Sequence, residues 1–172
     1  MTGRLPYVRN RLGLPFRHPA VLLATWFGAG LLPVSPGSWG ALAALPVAWA
    51  IRCLWGVPGL AIAAAVAFAL GWWAAATVAR ASGLADPGAI VIDEVAAQWL
   101  MLLAAPLDLP AWAVGFLLFR LFDICKPWPI GWADRRIHGG FGIMLDDLLA
   151  AGYAVLVLSV LLAIGGASGV RS

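Results

Sequence analysis

The acidic residues of this sequence are confined to one stretch of it. All eight lie between positions 86 and 147, whereas the first 85 residues hold six arginines and no acid. A carboxylate near membrane depth costs several kcal/mol unless it is paired or bound to a metal. Clustered hard oxygens suit Mg²⁺, which commonly bridges to a substrate phosphate. The acids that recur at the ends of apolar stretches therefore point to a cation site, with ion pairing to nearby arginines as the alternative: Asp93, Glu94, Asp123, Asp134, Asp146 and Asp147.

Basic residues and glycines are interleaved with these acids. Guanidinium groups bind phosphate oxygens in pairs, and lysine supplies a point charge. Glycines before an apolar helix leave backbone N–H groups open to an anion. Acids and cations together form the set that a phosphomonoester needs, because negative charge is neutralised as the P–O bond breaks. The candidate phosphate-binding residues are Gly37, Ser38, Arg120, Lys126, Arg135, Arg136, His138, Gly139 and Gly140. Binding of lipid headgroups is the alternative for each arginine.

The composition excludes a water-soluble domain. Of 172 residues, 63% are apolar and only 11% are charged, and the mean hydropathy is +0.93. A soluble domain carries roughly a quarter charged residues. Cys53 and Cys125 are too few for a disulfide scaffold and are predicted to be free thiols. The sequence contains no basic stripe of the kind that binds nucleic acid, so no nucleic-acid partner is expected.

The apolar segments predict how the polar groups are positioned. Residues 20–32 would span about 20 Å as a helix, too short for a hydrocarbon core of about 30 Å, so we expect a re-entrant or interfacial helix. Residues 41–56 and 59–79 are predicted to form a membrane hairpin around Gly56 and Pro58.

A second hairpin is predicted from residues 90–105 and 111–123, with a turn at 106–110 that contains Asp108. We assign no function to Asp108. Residues 126–144 are expected to form an interfacial loop with one short helix around Asp134, and 145–164 a last helix that opens with Asp146 and Asp147.

These elements predict an all-α, polytopic integral membrane helical bundle. Residues 1–172 would form one membrane-embedded domain, with a basic cytoplasmic head at 1–19 and a flexible tail at 166–172. Because arginine-rich segments stay in the cytoplasm, the polar segments 33–40, 80–94, 120–144 and the start of the last helix are expected at the cytoplasmic face of a bacterial inner membrane. The 106–110 turn is expected on the opposite side.

Three sequence strings resemble the bacterial phosphatidylglycerophosphatase A family. They are VSPGSWGALAALP (34–46), GAIVIDEVAAQWL (88–100) and the long FRLFDICKPWPIGWADRRIHGGFGIMLDDLLA (119–150), and the resemblance covers about residues 20–155. It implies a Mg²⁺-dependent membrane phosphatase that converts phosphatidylglycerophosphate to phosphatidylglycerol and phosphate. The family's motif positions fall on Gly37, Ser38, Asp93, Glu94, Arg120, Asp123, Lys126, Pro127, Asp134, Gly139, Gly140, Asp146 and Asp147.

Roles follow for these positions. Asp93, Glu94, Asp123, Asp146 and Asp147 are expected to hold Mg²⁺; Asp123, Asp146, Asp147 and Lys126 are the expected catalytic residues. Asp134 joins the phosphate-binding group. Three positions depart from the family pattern, with Ser38 for threonine, Ala41 for serine and Ala97 for glycine.

Alternatives stay open at this point. The nucleophile is either a metal-activated water or a carboxylate of Asp123 or Asp146, and the oligomeric state is undetermined. A small transporter that uses the acids as an ion pathway is the main alternative function; it predicts acids spread through the depth of the spans. A structural scaffold for other membrane enzymes is a further one.

Overall fold

The structure is a computed structural model that describes residues 12–169, with side chains to residue 165. All regular elements in this part of the chain are helical, as the sequence predicts. They are α1 (Pro19–Ala24), a 3₁₀ turn (Ala29–Leu31), α2 (Pro36–Ser82), α3 (Ile92–Leu102), α4 (Leu109–Cys125), α5 (Ile130–Arg136) and α6 (Gly139–Gly169).

Helix α2 is two helical limbs joined at Gly56. Gly56 has φ 64° and ψ −159°, a conformation that a residue with a side chain rarely adopts. Gly37 on the first limb lies against Glu94, and Gly71 on the second lies against Ile92. Both limbs therefore reach the start of α3 from a common turn, so they run in opposite directions.

Helices α3 and α4 are also antiparallel. Glu94 at the start of α3 lies near Arg120 at the end of α4, and Met101 lies against Gly115. Asp108 caps α4 by accepting a hydrogen bond from the backbone N–H of Ala111 at 2.8 Å. The Asp108 carboxylate thus caps the N-terminus of α4, which is the end of the helix remote from Arg120.

Small residues form most of the contact surfaces between the helices. Ala41, Ala44 and Ala48, spaced on one face of the first limb, are fully buried. This permits close approach, and the indole N–H of Trp99 donates to the carbonyl of Ala44 at 3.0 Å. Small residues serve the same purpose in helix packing within membranes.

The outer surface of the bundle is apolar. Two helices, Pro36–Ser82 and Gly139–Gly165, are long and apolar enough to cross a membrane, and only 17% and 22% of their most apolar windows are buried. An apolar helix with so little of its surface buried is not the core helix of a soluble protein. Its exposed apolar surface is compatible with contact to lipid. Cys53 and Cys125 are free and exposed, which confirms the prediction made for them.

The N-terminal segment differs from the single helix expected over residues 20–32. Helix α1 ends at Ala24 because Trp26 and Phe27 adopt left-handed backbone conformations, with φ of 46° and 54°. This turn places the Trp26 ring edge-on to Trp99, with 5.6 Å between the ring centroids. Most of the basic head, residues 1–11, lies outside the described part of the chain.

The last helix begins six residues earlier than expected. Gly139 and Gly140 form the first turn of α6, where Gly140 packs against Ala76 and the carbonyl of Trp72. Asp146 and Asp147 consequently lie two turns inside the helix. At its other end α6 continues to Gly169. Residues 170–172 of the tail predicted over 166–172 lie outside the described part of the chain.

Candidate metal and phosphate site

The polar ends of the long helices surround one pocket of about 440 Å³. Seven of the eight acidic residues of the chain line it, together with one guanidinium, one ammonium and one imidazole group. These lining residues are Asp86, Asp93, Glu94, Asp123, Asp134, Asp146, Asp147, Arg120, Lys126 and His138.

Arg120 connects Glu94 of α3 with Asp123 of α4. Its Nη1 atom lies 2.6 Å from Oδ2 of Asp123, three residues later on the same helix face, and 3.7 Å from Oε1 of Glu94. Gly37 leaves room for this pair, because a Cβ atom there would overlap the Glu94 carboxylate and lie 3.3 Å from the guanidinium. The glycine of the first limb thus allows α2, α3 and α4 to meet around one ion pair.

Lys126 connects α5 with α6. Its Nζ atom donates to Oδ1 of Asp134 at 2.8 Å and to Oδ2 of Asp146 at 2.6 Å. Burial alone would lower the pKa of Lys126, but these hydrogen bonds and the two negative charges outweigh burial and raise it. The ammonium group therefore remains charged at any physiological pH.

Two sets of three carboxylates share Asp147. One is Asp93, Glu94 and Asp147, and the other is Asp123, Asp146 and Asp147; within each set, oxygens from the three residues lie within 4.8 Å of one another. Burying carboxylates this close together is unfavourable without a compensating cation. Oε2 of Glu94 and Oδ2 of Asp147 are buried with no hydrogen-bond partner in the described structure.

This arrangement fits a hard divalent cation. The ligand atoms are all carboxylate oxygens, which Mg²⁺ prefers, and the pocket is large enough for waters and a phosphate beside it. No thiolate or imidazole lies in either set, so the donor atoms do not select a softer metal.

Four of the residues expected from the sequence do not line this pocket. Ser38 faces Ser35, with 2.8 Å between their Oγ atoms. Gly140 is buried against the second limb of α2. Arg135 and Arg136 are exposed on α5, because that helix turns Asp134 inward and its two successors outward. Gly37 and Gly139 do line the pocket.

Asp86 lines the pocket, although no motif in the sequence predicts that position for it. It lies in the link between α2 and α3, seven residues before Asp93. Loss of solvent between the pocket walls raises the pKa of Asp86, and the ammonium of Lys126 partly offsets this effect. The only signal in the sequence was its membership of the acidic interval 86–147.

The fold and the pocket define a class of protein: an all-helical membrane protein whose carboxylates and cations converge on one site suited to a divalent cation and an anion. Within that class, the chain belongs to the phosphatidylglycerophosphatase A family, whose model matches residues 22–162.

Relatives support this membership over most of the chain. The phosphatidylglycerophosphatase A of Escherichia coli strain K12 is 41% identical over 139 residues, covering 80% of each protein. That of Haemophilus influenzae is 42% identical over 142 residues, covering 82% of this chain and 87% of the relative. A protein of Bacteroides thetaiotaomicron, provisionally named a phosphatidylinositol-3-phosphatase, is 36% identical and covers 81% and 91%. No solved structure matches the chain significantly.

The three departures from the family pattern fall outside the pocket lining. Ala41 and Ala97 are fully buried between helices, where a residue's volume matters more than its hydrogen bonds. The hydroxyl of Ser38 is paired with Ser35. None of the three lies in either carboxylate set.

Proposed function

We propose that this protein hydrolyses the terminal phosphomonoester of phosphatidylglycerophosphate, releasing phosphatidylglycerol and phosphate, with Mg²⁺ as cofactor. One observation carries the proposal: in a phosphatidylglycerophosphatase A family member, two carboxylate sets that share Asp147 lie in the same pocket as Arg120 and Lys126. The gathering of seven acids in one pocket also argues against a transporter, which would spread them along a pathway.

The carboxylates would hold Mg²⁺, with Asp93, Glu94 and Asp147 on one side and Asp123, Asp146 and Asp147 on the other. When bound, Mg²⁺ neutralises phosphate charge and lowers the pKa of a coordinated water. A phosphate dianion could not enter a pocket of seven carboxylates unless their charge were compensated.

The cations and the start of α6 would orient the phosphate. Lys126 is held between Asp134 and Asp146 with its charge maintained, and Arg120 is held by Asp123, so both donors are fixed before substrate arrives. The α6 N-terminus at Gly139, which lines the pocket, favours an anion through its free backbone N–H groups. His138, beside it, adds a polar group at the exposed side of the pocket.

The first test is phosphate release by the purified protein in detergent micelles. We expect turnover of phosphatidylglycerophosphate with Mg²⁺ and its loss in excess EDTA, because the site's negative charge then has no counter-ion. Phosphatidylinositol 3-phosphate, suggested by the Bacteroides relative's name, is the comparison substrate and should be turned over more slowly. Full activity in EDTA, or a preference for the inositol lipid, would contradict the proposal.

We also propose that the protein crosses the bacterial inner membrane several times, with the pocket at the cytoplasmic face. Arg120 and Asp123, which line the pocket, lie 12 and 15 residues after Asp108 along α4. This separation is about 18 to 23 Å, compared with about 30 Å for a hydrocarbon core. Asp134 lies at the pocket end, next to Lys126.

Labelling from one side of the membrane tests this orientation. Asp108→Cys and Asp134→Cys, each in a background without Cys53 and Cys125, should react with an impermeant thiol reagent from opposite sides of sealed inner-membrane vesicles. We expect position 134 to react from the cytoplasmic side. Reaction of both positions from the same side would show that α4 does not cross.

A further inference from the structure

A second cavity, a groove of about 440 Å³, lies between the first limb of α2 and α4. Only apolar side chains line it. Its walls include Leu42, Leu45 and Trp49 from α2 and Trp112, Phe116 and Leu117 from α4.

The α4 wall of the groove continues the helix face that carries Arg120. Leu117, Phe116, Ala113 and Trp112 precede Arg120 by three, four, seven and eight residues, the spacings of a single helix face. The groove therefore begins one turn from the guanidinium that lies in the phosphate pocket. It extends away from that pocket by about 12 Å along the helix.

The α2 wall lies on the first limb, beyond Gly37. Leu42, Leu45 and Trp49 follow one another at helical spacing, and Leu42 lies little more than one turn beyond the glycine that borders Glu94 and Arg120. Trp49 and Trp112 meet edge to face, with 4.9 Å between ring centroids, and Leu109 lines the groove one turn beyond Trp112. The groove thus begins about one turn from residues of the polar pocket and runs away from it past this indole pair.

We propose that this groove holds an acyl chain of the substrate lipid while its phosphate headgroup occupies the pocket. The inference rests on the proposed function, since it takes a phospholipid as the substrate. A single amphiphile with an anionic head and an apolar tail matches the two sites: the head would bind in the pocket of cations and carboxylates, and the tail would lie in the groove of apolar side chains.

The position of the groove favours the substrate's own chain over other occupants. Bulk lipid would cover any apolar helix face, whereas this groove follows the α4 face that leads to Arg120 and begins one turn from that residue. A second copy of the chain would have no reason to follow the face that leads to Arg120. The groove would then set both the depth of the bound lipid and the preferred chain length.

Kinetics with Ala113→Phe test the inference. Ala113 is exposed in the groove, so a phenyl ring can fill it without displacing the core. We expect KM for long-chain phosphatidylglycerophosphate to rise about tenfold with little change in kcat, while KM for a short-chain, water-soluble analogue stays the same. The matched control is Ala65→Phe, at an exposed alanine on the second limb of α2, which should change neither value. Equal effects of Ala113→Phe on both substrates, or none on the long-chain one, would overturn the inference.

Photocrosslinking supplies a readout independent of turnover. A phosphatidylglycerophosphate with a diazirine in one acyl chain should label Phe116 or Leu117 in the wild-type protein, and excess unlabelled phosphatidylglycerophosphate should suppress that labelling. Equal labelling by a diazirine phosphatidylcholine, or a crosslink between two protein copies at this groove, would contradict the inference. Failure of the proposed function itself is distinct, since the wild-type protein would then release no phosphate from either chain length.

Discussion

Asp147→Asn is expected to lower kcat for phosphatidylglycerophosphate by at least about a hundredfold while the protein remains folded. Asp147 is the one acid common to both carboxylate sets, and its Oδ2 atom is buried without a hydrogen-bond partner. Asparagine has nearly the same volume but removes the negative charge that both sets share. Steady-state phosphate release at saturating Mg²⁺ measures the loss.

Two controls separate a lost ligand from a damaged fold. Asp108→Asn makes the same chemical change at the cap of α4, where asparagine caps as well as aspartate, so its turnover should stay within about twofold of wild type. Mg²⁺ should raise the Tm of the wild-type protein, because a ligand that binds only the folded state stabilises it. The Asp147→Asn variant should lose most of that rise. Near-normal turnover of this variant would remove Asp147 from the site.

Lys126→Met is expected to lower kcat/KM by at least about a hundredfold. The substitution retains an unbranched apolar side chain but removes the ammonium that lies 2.6 Å from Asp146 and 2.8 Å from Asp134. The phosphate then loses a positioned donor, and the pocket gains an uncompensated negative charge. Lys126→Arg should recover part of the loss, because it restores the charge with a different geometry.

Arg80→Met is the matched control for Lys126. Arg80 is exposed at the end of the second limb of α2 and does not line the pocket. Its loss should change kcat/KM by less than about threefold, the scale of an isolated surface charge. Equal losses in both variants would mean that the basic residues act through general attraction to the membrane.

The order of the helices could be predicted from the sequence because hydrophobicity and helix breakers specify it locally. Gly56 followed by Pro58 marks the turn between two apolar limbs, and the segment around Asp108 marks the next turn. The short helix around Asp134 was also predicted, since α5 spans Ile130–Arg136. Predicting an all-helical chain with apolar spans required no information about contacts between residues distant in sequence.

The details that depend on contacts between helices could not be predicted in this way. Two successive glycines, Gly139 and Gly140, locally disfavour a helix, but close packing of Gly140 against the second limb of α2 lets α6 begin there. Trp26 ends α1 because its ring packs on Trp99, a residue 73 positions away. Asp86 enters the pocket only because the link before α3 folds over it. In each case a contact between residues distant in sequence determines the local conformation, which the neighbouring residues alone do not specify.

The carboxylate pocket could be anticipated as a set of residues but not as a geometry. Spacing alone could not indicate that Asp147 is shared between two sets, or that Arg135 and Arg136 face outward while Asp134 turns toward Lys126. The apolar groove likewise has no motif, because its two walls come from separate helices.

The measurement that tests the central claim most directly is a structure of the protein with Mn²⁺, in place of Mg²⁺, and a non-hydrolysable phosphonate analogue of phosphatidylglycerophosphate. Anomalous scattering should place Mn²⁺ among Asp93, Glu94, Asp123, Asp146 and Asp147, with Asp147 as a ligand. The phosphonate should lie beside it, within hydrogen-bond distance of Lys126 or Arg120. A metal or phosphonate bound outside this pocket, with the carboxylates left unliganded, would contradict the account.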